Sequence, residues 1–190
     1  MAIILATASA AVGSAFTYNT PSTEHVAVTA KAGTAPVQII AAGKPGDNVA
    51  TQLLAEHRCL SEVLYYEARG EGRTGQQAIA EVVFHRMNTG NYGHSICAVV
   101  YEGAGHAGCQ FSFTCDGELT HARQDSAWQE SEALAAQILT GQVQLRNATG
   151  GATNFHAVSV SPEWAPTLEK TTQIGNHIFY RGMPVHTRDS

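Results

Sequence analysis

Two glutamates four residues apart, Glu67 and Glu71 in the segment YYEARGEG, fall across the expected end of a helix, with two tyrosines before them and Arg69 between. A carboxyl group under aromatic walls loses hydration, which penalises the ionised form and lifts its pKa from roughly 4.3 toward the roughly 6 that a general acid needs. A group of that kind can protonate a leaving oxygen, as the cleavage of a glycosidic bond requires. The same pattern also describes a solvated helix end or an ion pair with a neighbouring arginine. Glu71 has Arg69 and Arg73 at hand as structural partners, and a supporting role fits it better than a second acid.

Further downstream, CQFSFTC alternates the polar Gln110 and Ser112 with Phe111 and Phe113, and Asp116 follows. Gln110 and Ser112 suit hydrogen bonding to acetamido groups, although a half-buried strand gives the same alternation. Asp116, like Glu71, is a candidate for a second carboxylate that activates water. His156 in NFHA and His177 in GNHIFY read as satisfied structural histidines that also suit the wall of a cleft. Trp164 and Tyr180 are candidates for stacking on sugar rings; Trp164 could equally anchor a loop between Pro162 and Pro166. Tyr66, Phe111 and Phe113 complete the set of candidate substrate contacts.

Cys59, Cys97, Cys109 and Cys115 allow three pairings. Two disulfides are preferred over four free thiols: Cys109 and Cys115 frame a short loop that one bridge could staple, leaving Cys59 for Cys97 between two predicted helices. No CxxC pair occurs, the gap in CQFSFTC is longer than zinc-knuckle spacing, and no HExxH is present. No metal and no cofactor is therefore expected.

These residues need a scaffold, and the chain has material for one core: 190 residues, 44% hydrophobic and 14% charged. Residues 51–69 carry Leu53, Leu54, Leu60, Val63 and Leu64 near helical spacing and stop at Gly70. Thr74 and Gln77 have capping-box spacing for a second helix to Met87, with Ala78, Ile79, Val82 and Val83 inward. Ser95 is placed to cap a short third helix through Tyr101, the Gly-rich stretch 103–117 predicts a loop with a short extended segment, and Ser126–Leu139 predicts a fourth helix ended by Gly141. TNFHAVSV, TTQIG and HIFYR read as short strands. Helices first and strands afterwards define an α+β domain over residues 51–190.

Residues 2–16, AIILATASAAVGSAF, have the small apolar character of a secretory h-region but no cation before Lys31, and an Ala-rich tail is the alternative. Residues 1–16 are thus a signal-like segment and 17–50 a linker or leader. The run is too short to span a bilayer. With a net charge of −5, the chain lacks the basic footprint of a nucleic-acid binder or a membrane-surface binder. An exported monomer, periplasmic or wall-associated, is expected.

The run CLSEVLYYEARGEGRTGQQAIAEVVFHRM, followed in order by SICAVVYEG, CQFSFTCDG, ATNFHAVSVSPEWA and KTTQIGNHIFYRG, resembles the SleB-type cell wall hydrolases over about residues 53–182. The resemblance implies a lysozyme-like fold, cleavage of the peptidoglycan glycan strand, and a catalytic acid at the first glutamate of EARGE, Glu67. It allows either a lytic transglycosylase with one carboxyl group or a hydrolase in which Glu71 or Asp116 activates water. His85-Arg86-Met87 departs from the Asn-Arg-Val that relatives often carry, and no peptidoglycan-binding module is visible ahead of residue 51. The rivals are a zinc amidase or peptidase, a Cys/His peptidase, and a non-catalytic glycan-binding module.

Overall fold

The computed structural model describes residues 45–106 and 108–182; the signal-like segment, and the leader up to residue 44, lie outside the described residues. Helix α1 runs Pro45–Ala68, starting six residues ahead of the predicted position, with proline at the first helical residue, where no amide donor is needed. Its inward face of Leu60, Val63, Leu64, Tyr65 and Ala68 is buried, and it packs against each of the other helices. It is the axle of the domain.

Backbone bonds from Arg69 to the Tyr65 carbonyl and from Glu71 to the Ala68 carbonyl close α1 in a tight turn. Helix α2, Gly72–Thr89, then starts on a glycine at φ +64, a conformation that side chains disfavour. The helix therefore begins two residues before Thr74, which lies inside the first turn rather than capping it. The Ala78, Ile79, Val82 and Val83 stripe is buried as expected. Helix α3, Ile96–Val100, is capped by Ser95, whose Oγ accepts from the Ala98 amide at 3.1 Å. Cys59 and Cys97 join α1 to α3 with Cα atoms 5.2 Å apart.

The loop after α3 is stapled by Cys109–Cys115, Cα atoms 6.4 Å apart. Ser112–Thr114 forms a 3-10 turn, not the extended segment predicted. The Thr114 amide and hydroxyl both donate to the Phe111 carbonyl and the Cys115 amide donates to Ser112, so local bonds satisfy backbone that a strand would have left for a partner. Phe111 and Phe113 are nevertheless both buried, and Gln110 and Ser112 exposed. Helix α4, Asp125–Leu139, buries Leu134, Ala135 and Ile138.

Strands β1 (Asn154–Ala157), β2 (Glu169–Ile174) and β3 (His177–Arg181) form an antiparallel sheet in the order β1-β3-β2, with a register shift between Lys170 and Thr172. The loop entering β1 is pinned from α2: the buried Glu81 carboxylate accepts from the amides of Ala148 and Thr149 and from the Thr149 hydroxyl, at 2.8–2.9 Å. Among the described residues no helix is long and apolar enough to cross a membrane.

Candidate active site

Glu67 occupies the last turn of α1, where the helix meets the stapled loop on one side and the sheet on the other. A cleft of about 510 Å³ opens there, lined by Glu67, Arg86 from α2, Gln110, Phe111 and Ser112 from the loop, and Phe155, His156, Ala157, Val160 and His177 from the sheet region. Burial among these side chains lifts the Glu67 carboxyl from 4.5 to about 7; Arg86 pulls it down and the Asp116 charge pushes it up, both weaker than the loss of hydration. The carboxyl group is thus half protonated near neutrality, able to give a proton and later take one.

Arg86 is buried against this acid. Its Nε donates to the Thr153 carbonyl at 2.8 Å, and its guanidinium lies over the rings of Tyr92 and Phe111, 5.2 and 4.9 Å from their centroids. Burial lowers its pKa, while Tyr92, Glu102 and Glu67 act in the opposite sense. His177 is buried edge-on to Phe155, 5.2 Å between centroids, and burial depresses its pKa, so the ring facing the cleft is neutral at pH 7. His156 points Nδ1 at the Ala157 carbonyl (2.9 Å), which can only accept, so the proton sits on Nδ1 and Nε2 accepts from the Tyr180 hydroxyl at 3.0 Å. That ring stacks on Tyr180 and meets Trp164 edge-on.

The cleft therefore brings together Glu67, Gln110, Phe111, Ser112, His156 and His177. Tyr66 and Phe113 are not in its wall; they stack on each other, 4.7 Å between centroids, and Tyr66 hydrogen-bonds Glu118 and Arg123. Trp164 and Tyr180 stand to one side, around His156. Glu71 is not in the wall either, and its partner is neither Arg69 nor Arg73: its carboxylate accepts from the amide and side chain of Asn176 in the β2–β3 turn, at 2.7 and 3.1 Å. Those bonds hold its pKa below the usual value. The turn admits the carboxylate because residue 175 is glycine, where a Cβ would lie 2.1 Å from Glu71 Oε2. Asp116 is exposed, with Oδ1 accepting from the Glu118 amide at 3.0 Å. Sequence reasoning missed Arg86 and Phe155 as wall residues. For Arg86 a signal existed: it continues the buried stripe of α2, where a charged side chain is rare unless partners are arranged around it.

All four cysteines are in disulfides, so a Cys/His peptidase would lack its thiolate. Among the described residues no three His, Cys, Asp or Glu side chains gather as a ligand set.

The fold and site together define a lysozyme-like domain with a desolvated glutamate at the floor of a cleft. Residues 70–180 match the Cell Wall Hydrolase family model, and the chain belongs to that family. The matched stretch begins three residues beyond Glu67. The spore cortex-lytic enzymes of Halalkalibacterium halodurans and Bacillus subtilis are 27% and 26% identical over 121 and 122 residues, 63% and 64% of this chain. The aligned part spans about a third of those relatives, 33% and 36% of their lengths. The catalytic domain of the germination-specific lytic transglycosylase SleB from Bacillus anthracis superposes with TM-score 0.52 at 22% identity, over 66% of this chain and 93% of that one. The catalytic domain of Bacillus cereus SleB gives 0.50 at 21% identity, over 67% and 91%. At these identities the superpositions establish the fold.

Proposed function

We propose that this protein cleaves the glycan strand of peptidoglycan outside the cytoplasm, as a lytic transglycosylase with Glu67 as its single acid and base. The observation that carries the reading is the half-buried Glu67 carboxyl with its pKa near 7, facing an open cleft. Glu67 gives its proton to the glycosidic oxygen as the C1–O bond breaks. The same group, now a carboxylate, takes the proton of the muramic C6 hydroxyl as that oxygen closes on C1, which leaves a 1,6-anhydro sugar and restores the acid. An attacker already attached to the sugar removes the need for a base that activates water. The commitment of Glu71 to Asn176 favours this one-carboxyl scheme. Gln110, Ser112 and His177 supply hydrogen-bonding groups for the sugars, and Phe111, Phe155 and the His156 ring supply surface to pack against them.

Hydrolysis is the second reading, since Asp116 is near enough for its charge to act on Glu67. Mass spectrometry of fragments released from purified sacculi separates the two. Anhydro-muropeptides are expected; reducing ends would instead assign Asp116 the base role, and freed peptides would refute glycan cleavage.

A further inference from the structure

We propose that a trough on the outer face of the sheet, beside the Glu67 cleft, holds the acidic stem peptide that branches from the glycan, with Lys170 as its anchor. The inference rests on the reading that the cleft takes the glycan. A concavity of about 540 Å³ adjoins the cleft, and the two share His156 and Val160 in their walls. A polymer seated in one can therefore send a branch into the other along continuous surface.

The register builds the floor. His156 is opposite Ile178 and Lys170 is opposite Tyr180, so these side chains occupy one face of the sheet. Much of the remaining wall is apolar, including Val160, which is 54% exposed. Among the described residues Lys170 is the one permanently charged side chain lining the trough. Its sequence neighbour Glu169 cannot neutralise it, because Arg181 holds that carboxylate through bonds of 3.0 and 2.8 Å. Glu163, in the adjoining loop, is not in the wall. Among the described residues the Lys170 ammonium makes no ion pair.

An uncompensated cation over small apolar surfaces complements a chain of alanine-sized side chains with free carboxylates. It offers a neutral sugar strand little, because sugars carry no charge to pair with it. In peptidoglycan that acidic chain is the peptide on the muramic lactyl group, next to the bond that Glu67 addresses.

Calorimetric titration with two soluble probes tests this: the N-acetylglucosaminyl-N-acetylmuramyl tetrapeptide and the same disaccharide without peptide, its lactyl carboxyl capped as the methylamide so that it carries no charge. The intact protein is expected to bind the peptide-bearing probe about tenfold more tightly. Lys170→Glu is expected to erase the preference while the affinity for the bare disaccharide and the circular dichroism spectrum stay unchanged. Equal affinity of the intact protein for both probes would overturn the proposal, as would an equal loss for both probes in Lys170→Glu. Binding is read without turnover, so a protein that keeps the preference but releases no glycan fragments would refute the catalytic reading alone.

Discussion

Replacing the acid should make the protein more stable, by an amount that grows as pH rises from about 4.5 to about 7. In the folded chain Glu67 titrates at about 7, against 4.5 for the unconstrained group, because burial penalises its charge. Between those values the folded state holds a proton that the unfolded state has lost, so stability falls as pH rises through the window and stays low above it. The full displacement corresponds to about 3 kcal/mol, and the cleft's opening to water makes about 2–3 kcal/mol the working figure. Glu67→Gln keeps the shape and removes the titration. Urea unfolding of both proteins, followed by circular dichroism near pH 4 and near pH 8, isolates the effect. The stability gap in favour of the variant is expected to widen by about 2–3 kcal/mol between the two conditions. A gap that is the same at both would mean that Glu67 ionises as freely as a surface carboxyl, and the reasoning would fail.

Glu71 carries the opposite sign: its lowered pKa contributes stability above about 4.5 that disappears as the solution is acidified through the folded value. Glu71→Gln is expected to cost about 1 kcal/mol at neutral pH and almost nothing in strong acid, measured by the same urea titrations. Glu81→Ala strips three donors of their acceptor inside the protein, and thermal unfolding should register a loss of about 3 kcal/mol. Cys59→Ser with Cys97→Ser opens a cross-link between residues 38 apart, and denaturant unfolding without reductant should show a loss of about 3–4 kcal/mol.

Local chemistry was legible wherever it decided the outcome. Ser95 caps α3 because its hydroxyl reaches an amide three residues on, and the strands of the sheet lie where β-branched and aromatic residues cluster. Both disulfides join the cysteines that proximity in the predicted elements suggested. The failures share a cause, which is contact over long sequence distance or a backbone choice that side-chain pattern does not encode. Glu71 finds Asn176, 105 residues away, in preference to the arginines beside it. Gly72 starts α2 through its left-handed backbone, overriding the Thr74 box. In CQFSFTC the burial alternation was legible while the backbone producing it was not, since a stapled 3-10 turn can bury alternate residues as a strand does. The aromatic walls expected around Glu67 were read as Tyr65 and Tyr66, yet the rings lining its cleft are Phe111 and Phe155, brought from 44 and 88 residues downstream.

The central claim, that Glu67 is the proton donor, is tested most directly by incubating Glu67→Gln with purified sacculi and quantifying soluble muropeptides. The variant is expected to be folded, at least as stable as the parent near pH 8, and to release none, so that inactivity cannot be assigned to unfolding. Release at the parent's rate would contradict the account.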